Sequence, residues 1–173
     1  MKLSQQEITF AACTPAHLPA ILALQDAAFD VLENPDMLRR NSAQMLAACL
    51  QPPHRTIGAF YQGNLIAFII LYHGGETDEN IGYDIGVDEK NILSVANVKL
   101  VIVHPAYRGN GLQRLLMQHL ETQAKTAGYT TLCATVSPLN IHSRRNFEKG
   151  GFVYHSTKTK YGGLTRNVFY KKI

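Results

Sequence analysis

One run in this 173-residue chain has residue types and spacing suited to chemistry: VIVHPAYRGNGLQRLL, from Val101 to Leu116. An apolar stretch meets a proline, then an arginine, then two glycines separated by one residue, then an amphipathic pattern of helical period. Glycines at a helix start let bare main-chain N–H groups approach a ligand. Those unsatisfied amides and the helix dipole favour negative oxygen, such as that of a pyrophosphate. Arg108 and Arg114 bracket Gly109, Asn110, Gly111, Leu112 and Gln113 and would add positive charge beside it. The same glycines also suit a plain strand-to-helix turn that binds nothing. Two other phosphate loops are disfavoured: no lysine follows Gly111, and the third glycine of a dinucleotide loop would fall on Arg114.

A second segment lies downstream, NIHSRRNFEKGGF from Asn140 to Phe152. Together the two segments resemble the GNAT superfamily of acyl-CoA-dependent N-acetyltransferases. Its patterns are Val-x-Pro-x-x-Arg-Gly-x-Gly and, further on, Asn-x-x-Ala-x-x-Leu-Tyr-x-Lys-x-Gly-Phe. The close match runs from about Val95 to Phe152. The resemblance implies acetyl-CoA as acyl donor, no metal, and a primary amine as acceptor, on a small molecule or a peptide. It implies that main-chain groups of Val101, Ile102 and Val103 pair with the pantetheine arm as an added strand would. It places the pyrophosphate cradle on Gly109 to Arg114 and a cofactor contact on Asn140, whose other role is helix N-cap.

Departures from the family pattern fall where catalysis would be. Gln113 stands where a small residue is usual, so its side chain must point away from the phosphates. Phe147 occupies the position of a tyrosine general acid in many members and has no proton to give. Thr135 replaces a glutamate that some members carry, and Lys99 takes a strand position that sometimes holds a base. The catalytic residues are therefore unassigned from sequence. Asp84, Asp88, Glu89, His104, Tyr154 and Tyr161 are scattered candidates. These losses also keep open a non-catalytic acyl-CoA sensor or interaction module.

The elements that must position these residues alternate. Gln6 to Ala12 reads as a strand. Thr14 and Pro15 open a first helix with an apolar face at Leu18, Ile21, Leu22, Leu24 and Ala28, and a second follows the Ser42 cap. Thr56–Tyr61 and Leu65–Tyr72 form a hairpin, and His73 to Glu89 is a polar excursion. Val95–Val103, Leu112–Lys125, Thr130–Val136, Ile141–Lys149, Phe152–Thr157 and Asn167–Lys172 then alternate strand and helix. The expected fold is α/β with a mixed central sheet flanked by helices, in one domain over residues 1–173, and the resemblance implies that this sheet is partly splayed. Tyr161 to Leu164 reads equally as a flap or a turn.

Composition fits this. The chain is 46% hydrophobic and 17% charged, with a mean hydropathy of −0.09, which excludes disordered and membrane-spanning classes. Cys13, Cys49 and Cys133 are an odd, scattered set and read as buried hydrophobes of a reducing compartment. No cysteine carries an acyl intermediate on this reading, and transfer is direct in a ternary complex. Net charge +4 and a pI near 9.0 suit an anionic partner, but no motif points to nucleic acid. A cytoplasmic location away from membranes is expected, and the resemblance leaves a homodimer open.

Overall fold

The computed structural model describes residues 2–173 and has seven strands in one sheet, ordered β1-β2-β3-β4-β5-β7-β6. The strands are β1 (Ile8–Ala12), β2 (Arg55–Tyr61), β3 (Asn64–Tyr72), β4 (Val95–Val103), β5 (Thr131–Val136), β6 (Val153–Lys160) and β7 (Leu164–Lys172). The helices are α1 (Leu18–Phe29), α2 (Ala43–Ala48), α3 (Leu112–Thr126) and α4 (Ile141–Lys149). Every neighbouring pair is antiparallel except β4 and β5. A parallel pair needs a long crossover, and α3 supplies it.

Each face of the sheet carries its own core. Leu112, Leu116, Leu120 and Ala124 of α3, with Phe147 of α4, pack on Ile69, Ala96, Leu132 and Phe169. On the other face, Ile21, Leu24 and Ala28 of α1 and Leu46 of α2 cover Phe68, Ile70, Leu100 and Ile102. The apolar periodicity at Ile21, Leu24 and Ala28 is what makes α1 a cover for that face. Ser42 caps α2 by accepting from the Met45 N–H. Thr14 and Pro15 begin a short 3-10 turn, Pro15–His17, and α1 starts after it.

The early hairpin turns on two residues, Gln62 (φ 48°) and Gly63 (φ 78°), so Asn64 already belongs to β3. Two positive φ values match the right-handed twist of the flanking strands. The first strand is shorter than its sequence suggests, because Gln5–Glu7 coil into a 3-10 turn. The late strands are longer: β6 reaches Lys160 and β7 starts at Leu164, so Tyr161 to Gly163 is the turn of a hairpin.

The polar excursion after β3 is anchored to the sheet. Ile81 packs with Val95, Cys133 and Val168. Asn80 is buried, donates to the carbonyls of Gly75 and Ile92, and accepts from the Gly82 N–H. Glu79, next to it, accepts from Lys99 Nζ at 3.0 Å.

Lys99 marks the main irregularity of the sheet. Ile70 pairs with Leu100 and Leu71 with Val98, so Lys99 is an extra residue bulged out of β4. A bulge bends its strand and sharpens the twist. On the other edge, the parallel pairing of β4 with β5 ends at Val98 and Ala134, immediately before the bulge. From Lys99 onward the two strands part.

Two outcomes test this anchoring. Asn80→Ala leaves two carbonyls and an N–H unmatched, and stability falls by about 2 kcal/mol. A Tm lower by roughly 4–8 °C for a chain this size checks it. Burial pushes the Glu79 carboxyl up, but the Lys99 hydrogen bond and the charges of Lys99, Arg39 and Lys160 outweigh it, and the net pKa is lowered. Its stabilisation is therefore complete above the ordinary carboxylate pKa, fades as pH falls below about 4.3, and is gone below the depressed folded value. Acid titration of Glu79→Gln, followed by circular dichroism, shows a shallower loss of stability in that window than the parent.

Candidate active site

The gap between β4 and β5 is a partly open cleft of about 80 Å³. Val98 to Val101 form one wall, and Thr135 to Ser137 form the other. Phe147 closes the inner end, while Leu38, Arg39, Tyr161 and Arg166 face it from the α1–α2 connection and the β6–β7 hairpin.

Ladder geometry decides which main-chain groups of β4 reach the gap. The His104 N–H donates to the Ile66 carbonyl on the β3 side. Antiparallel alternation then turns the main-chain groups of Ile102 toward β3 and those of Val101 and Val103 toward the opening. Ile102 is buried among the residues covered by α1. The three valine and isoleucine positions expected to act together thus divide: the main-chain groups of Val101 and Val103 turn away from β3 and those of Ile102 stay in the ladder, and Val101 is the one that lines the cleft.

Below the opening, the chain enters α3 through Arg108 to Arg114. Gly109 (φ 82°) and Gly111 (φ 70°) both adopt the left-handed conformation, and Gly111 is the N-cap. No protein acceptor among the described residues takes the N–H groups of Gly109, Gly111, Leu112, Gln113 or Arg114. Leu112 is buried, Arg108 and Arg114 are exposed, and the Arg114 guanidinium lies 3.8 Å from where a Cβ on Gly111 would sit. The Asn110 side chain is structural, donating to the Tyr107 carbonyl and accepting from the Leu3 N–H. Gln113 turns toward α4, where its Oε1 accepts from Asn146 at 2.8 Å. The large residue at the usually small position therefore leaves the amides clear. Asn140 caps α4 by accepting from the Ser143 N–H, and it also lines the cleft.

The scattered candidates sort cleanly. Asp84 is held by Lys158 and Lys160. Asp88 accepts from the Asn91 N–H, Glu89 is exposed, and His104 accepts from the Ala106 N–H. Tyr154 is exposed and pairs with Thr157. Of the six, Tyr161 alone lines the cleft. It sits at φ 56°, an unfavourable conformation for an aromatic residue, and its Oη lies 3.0 Å from Thr135 Oγ1. The Arg39 guanidinium stacks over its ring at 4.1 Å. Phe147 is buried against Phe152 and Phe169, a core position. Lys99 is an ion-paired cation, bound to Glu79 and lying 4.1 Å from the Tyr72 ring centre.

Sequence reasoning missed Ser137 and Arg166, which no motif flags; Arg39 falls in the Asp30–Asn41 connection, where the family resemblance implies substrate contacts. The cleft lining contains three cations, Arg39, Lys99 and Arg166, and no Asp, Glu or His. The three cysteines are buried, and burial raises their thiols to about 12 for Cys13 and Cys133 and to about 11 for Cys49. None lines the cleft. Such thiols are poor nucleophiles. Among the described residues, no cluster of His, Cys, Asp or Glu is placed to hold a metal ion, and no helix is long and apolar enough to cross a membrane.

The same architecture recurs in solved structures. A putative acetyltransferase from Salmonella typhimurium, solved with its cofactor acetyl-CoA, superposes with a TM-score of 0.71 at 18% identity, covering 96% of this chain and 94% of that one. The ribosomal-protein-S18-alanine N-acetyltransferase of Escherichia coli gives 0.71 at 20% identity, with 96% and 94% covered. A putative acetyltransferase from Acinetobacter baylyi gives 0.70 at 22% identity, with 96% and 92% covered. At these identities the likeness is one of fold. No curated protein matches the chain in sequence. The description "Acetyltransferase (GNAT) family" matches residues 18–152, most of the chain, with the parted strands and the glycine turn both inside it. This chain therefore belongs to the GNAT family and is an acyltransferase.

Proposed function

We propose that the protein transfers the acetyl group of acetyl-CoA to a primary amine by direct attack in a ternary complex. One juxtaposition carries this reading. An unpaired β4 edge, at Val101 and Val103, leads straight to five free amides at the start of α3. A pantetheine arm has amides that can complete such an edge, and a pyrophosphate is the anion that such a helix start attracts. Arg108 and Arg114 add charge there, and Asn140 stands on the opposite lip. The residues present fit the donor.

In this reading the amine nitrogen bonds to the carbonyl carbon, the carbon–sulfur bond breaks, and the amine's proton replaces the bond on sulfur. Holding the two reactants about 3 Å apart supplies much of the acceleration. Tyr161 is the proton donor to the departing thiolate, and the proton released by the amine restores its phenol. Its phenol reaches the cleft from the β6–β7 turn and is oriented by Thr135, so it serves from a different strand where Phe147 cannot. The cationic lining of Arg39, Lys99 and Arg166 works against an ammonium and favours the neutral, attacking amine.

Phe147 and Thr135, at positions where relatives of this kind carry acid and base, favour a second reading, a sensor that binds acyl-CoA without turnover. Calorimetry with CoA and thiol release from acetyl-CoA with an amine panel separate the two. The enzyme gives both heat and thiol, the sensor gives heat alone, and absence of heat removes both readings. Gly111→Val puts a β-branched residue at φ 70°, which favours a shift of the turn out of that conformation, and is expected to weaken CoA binding roughly 5- to 30-fold by calorimetry, the equivalent of the roughly 1–2 kcal/mol that the conformation costs. Tyr161→Phe is expected to lower kcat about 100-fold or more, the usual scale for a lost general acid, with CoA affinity unchanged.

A further inference from the structure

Arg166 is the least expected residue of the cleft. It lies on β7, is 3% exposed, and lines the same gap as Thr135, Ser137 and Tyr161. Its Nη1 donates to the Thr165 carbonyl at 2.9 Å. Its Nη2 is buried and has no hydrogen-bond partner among the described residues. Among the described residues no ion pair within 4.0 Å neutralises it either, although Asp36 exerts an attraction and Arg39 a repulsion. Glu79 is engaged with Lys99 and Arg39, and Asp84 with Lys158 and Lys160. A buried guanidinium with an unmatched N–H group is costly to a fold, and proteins normally pair it. Its planar fork matches a carboxylate. A second guanidinium, on Arg39, faces the same space with no acidic side chain in the lining.

We infer that the acceptor is an amine bearing a carboxylate, and that Arg166, seconded by Arg39, holds that carboxylate while the amine faces the thioester. The inference rests on the acetyl transfer proposed above and narrows its acceptor to amino-acid-like molecules. The carboxylate takes no part in bond making. It fixes the position of the nitrogen and neutralises the buried charge.

Matched pairs provide the test: each of the twenty amino acids, β-alanine and γ-aminobutyrate against its carboxamide, with thiol release followed at saturating acetyl-CoA. At least one carboxylated member is expected to exceed its amide by tenfold or more in kcat/KM. Arg166→Gln should erase that preference mainly through KM, and Arg166→Lys should restore part of it, while CoA heat stays unchanged in both. Arg166→Met, which removes an uncompensated buried charge, should melt no lower than the parent without acceptor. Amides used as well as acids, thiol release with no carboxylated amine despite CoA binding, or a preference that survives Arg166→Gln each overturns the inference and leaves acyl-CoA binding standing. Absence of CoA heat overturns the proposed function, and the inference falls with it.

Discussion

The parting of β4 from β5 is the constraint on which the rest of the site depends. A main-chain edge inside a protein is tolerated only when its N–H and C=O groups are matched by something. Here the parallel ladder stops at Val98 and Ala134, and Lys99 bulges out at that step. β3 continues to hold β4 from its other side through Ala67 and Val103, so the strand stays extended while one edge is left open. The bulge is fixed in turn by the Lys99–Glu79 pair and by the Asn80 network that holds the excursion to the sheet. A surface excursion is thereby tied to the strand residue at which the cleft begins.

The chemistry of the cleft follows from what that opening admits. Phe147 fills the inner end with an aromatic that packs on Phe152 and Phe169, which commits the α4 position to the core. A phenol arrives instead from the β6–β7 turn, held at a strained φ by a Thr135 partner and an Arg39 stack. Strain of this kind persists where surrounding contacts over-determine it, and it concentrates at functional positions. The cationic lining serves both halves of the proposed reaction, since it disfavours a charged amine and favours a charged acid on the same acceptor.

The glycine turn and the α4 segment were legible from residue order because their roles are local. A helix start needs its glycines and its cap within a few residues, so Gly109, Gly111 and Asn140 could be placed from sequence, as could α3, α4 and most of the strands. Element ends were less legible. Glu7 went into a 3-10 turn and β6 ran on to Lys160, since pairing partners far along the chain decide where a strand stops. The division of Val101 and Val103 from Ile102 required the register with β3, which no single strand encodes.

The sequence alone determined the family, the mixed sheet, the glycine turn before α3 and the burial of three cysteines, because each of these is written in short-range spacing and side-chain polarity. The tertiary structure decided that Tyr161 brings a phenol into the cleft from the β6–β7 turn while Phe147 packs in the core, that Gln113 leans away from the amides, and that Arg39 and Arg166 line the same cleft. Those residues lie on separate elements, and only the folding of the β6–β7 hairpin and the α1–α2 connection over the parted strands brings them to one place.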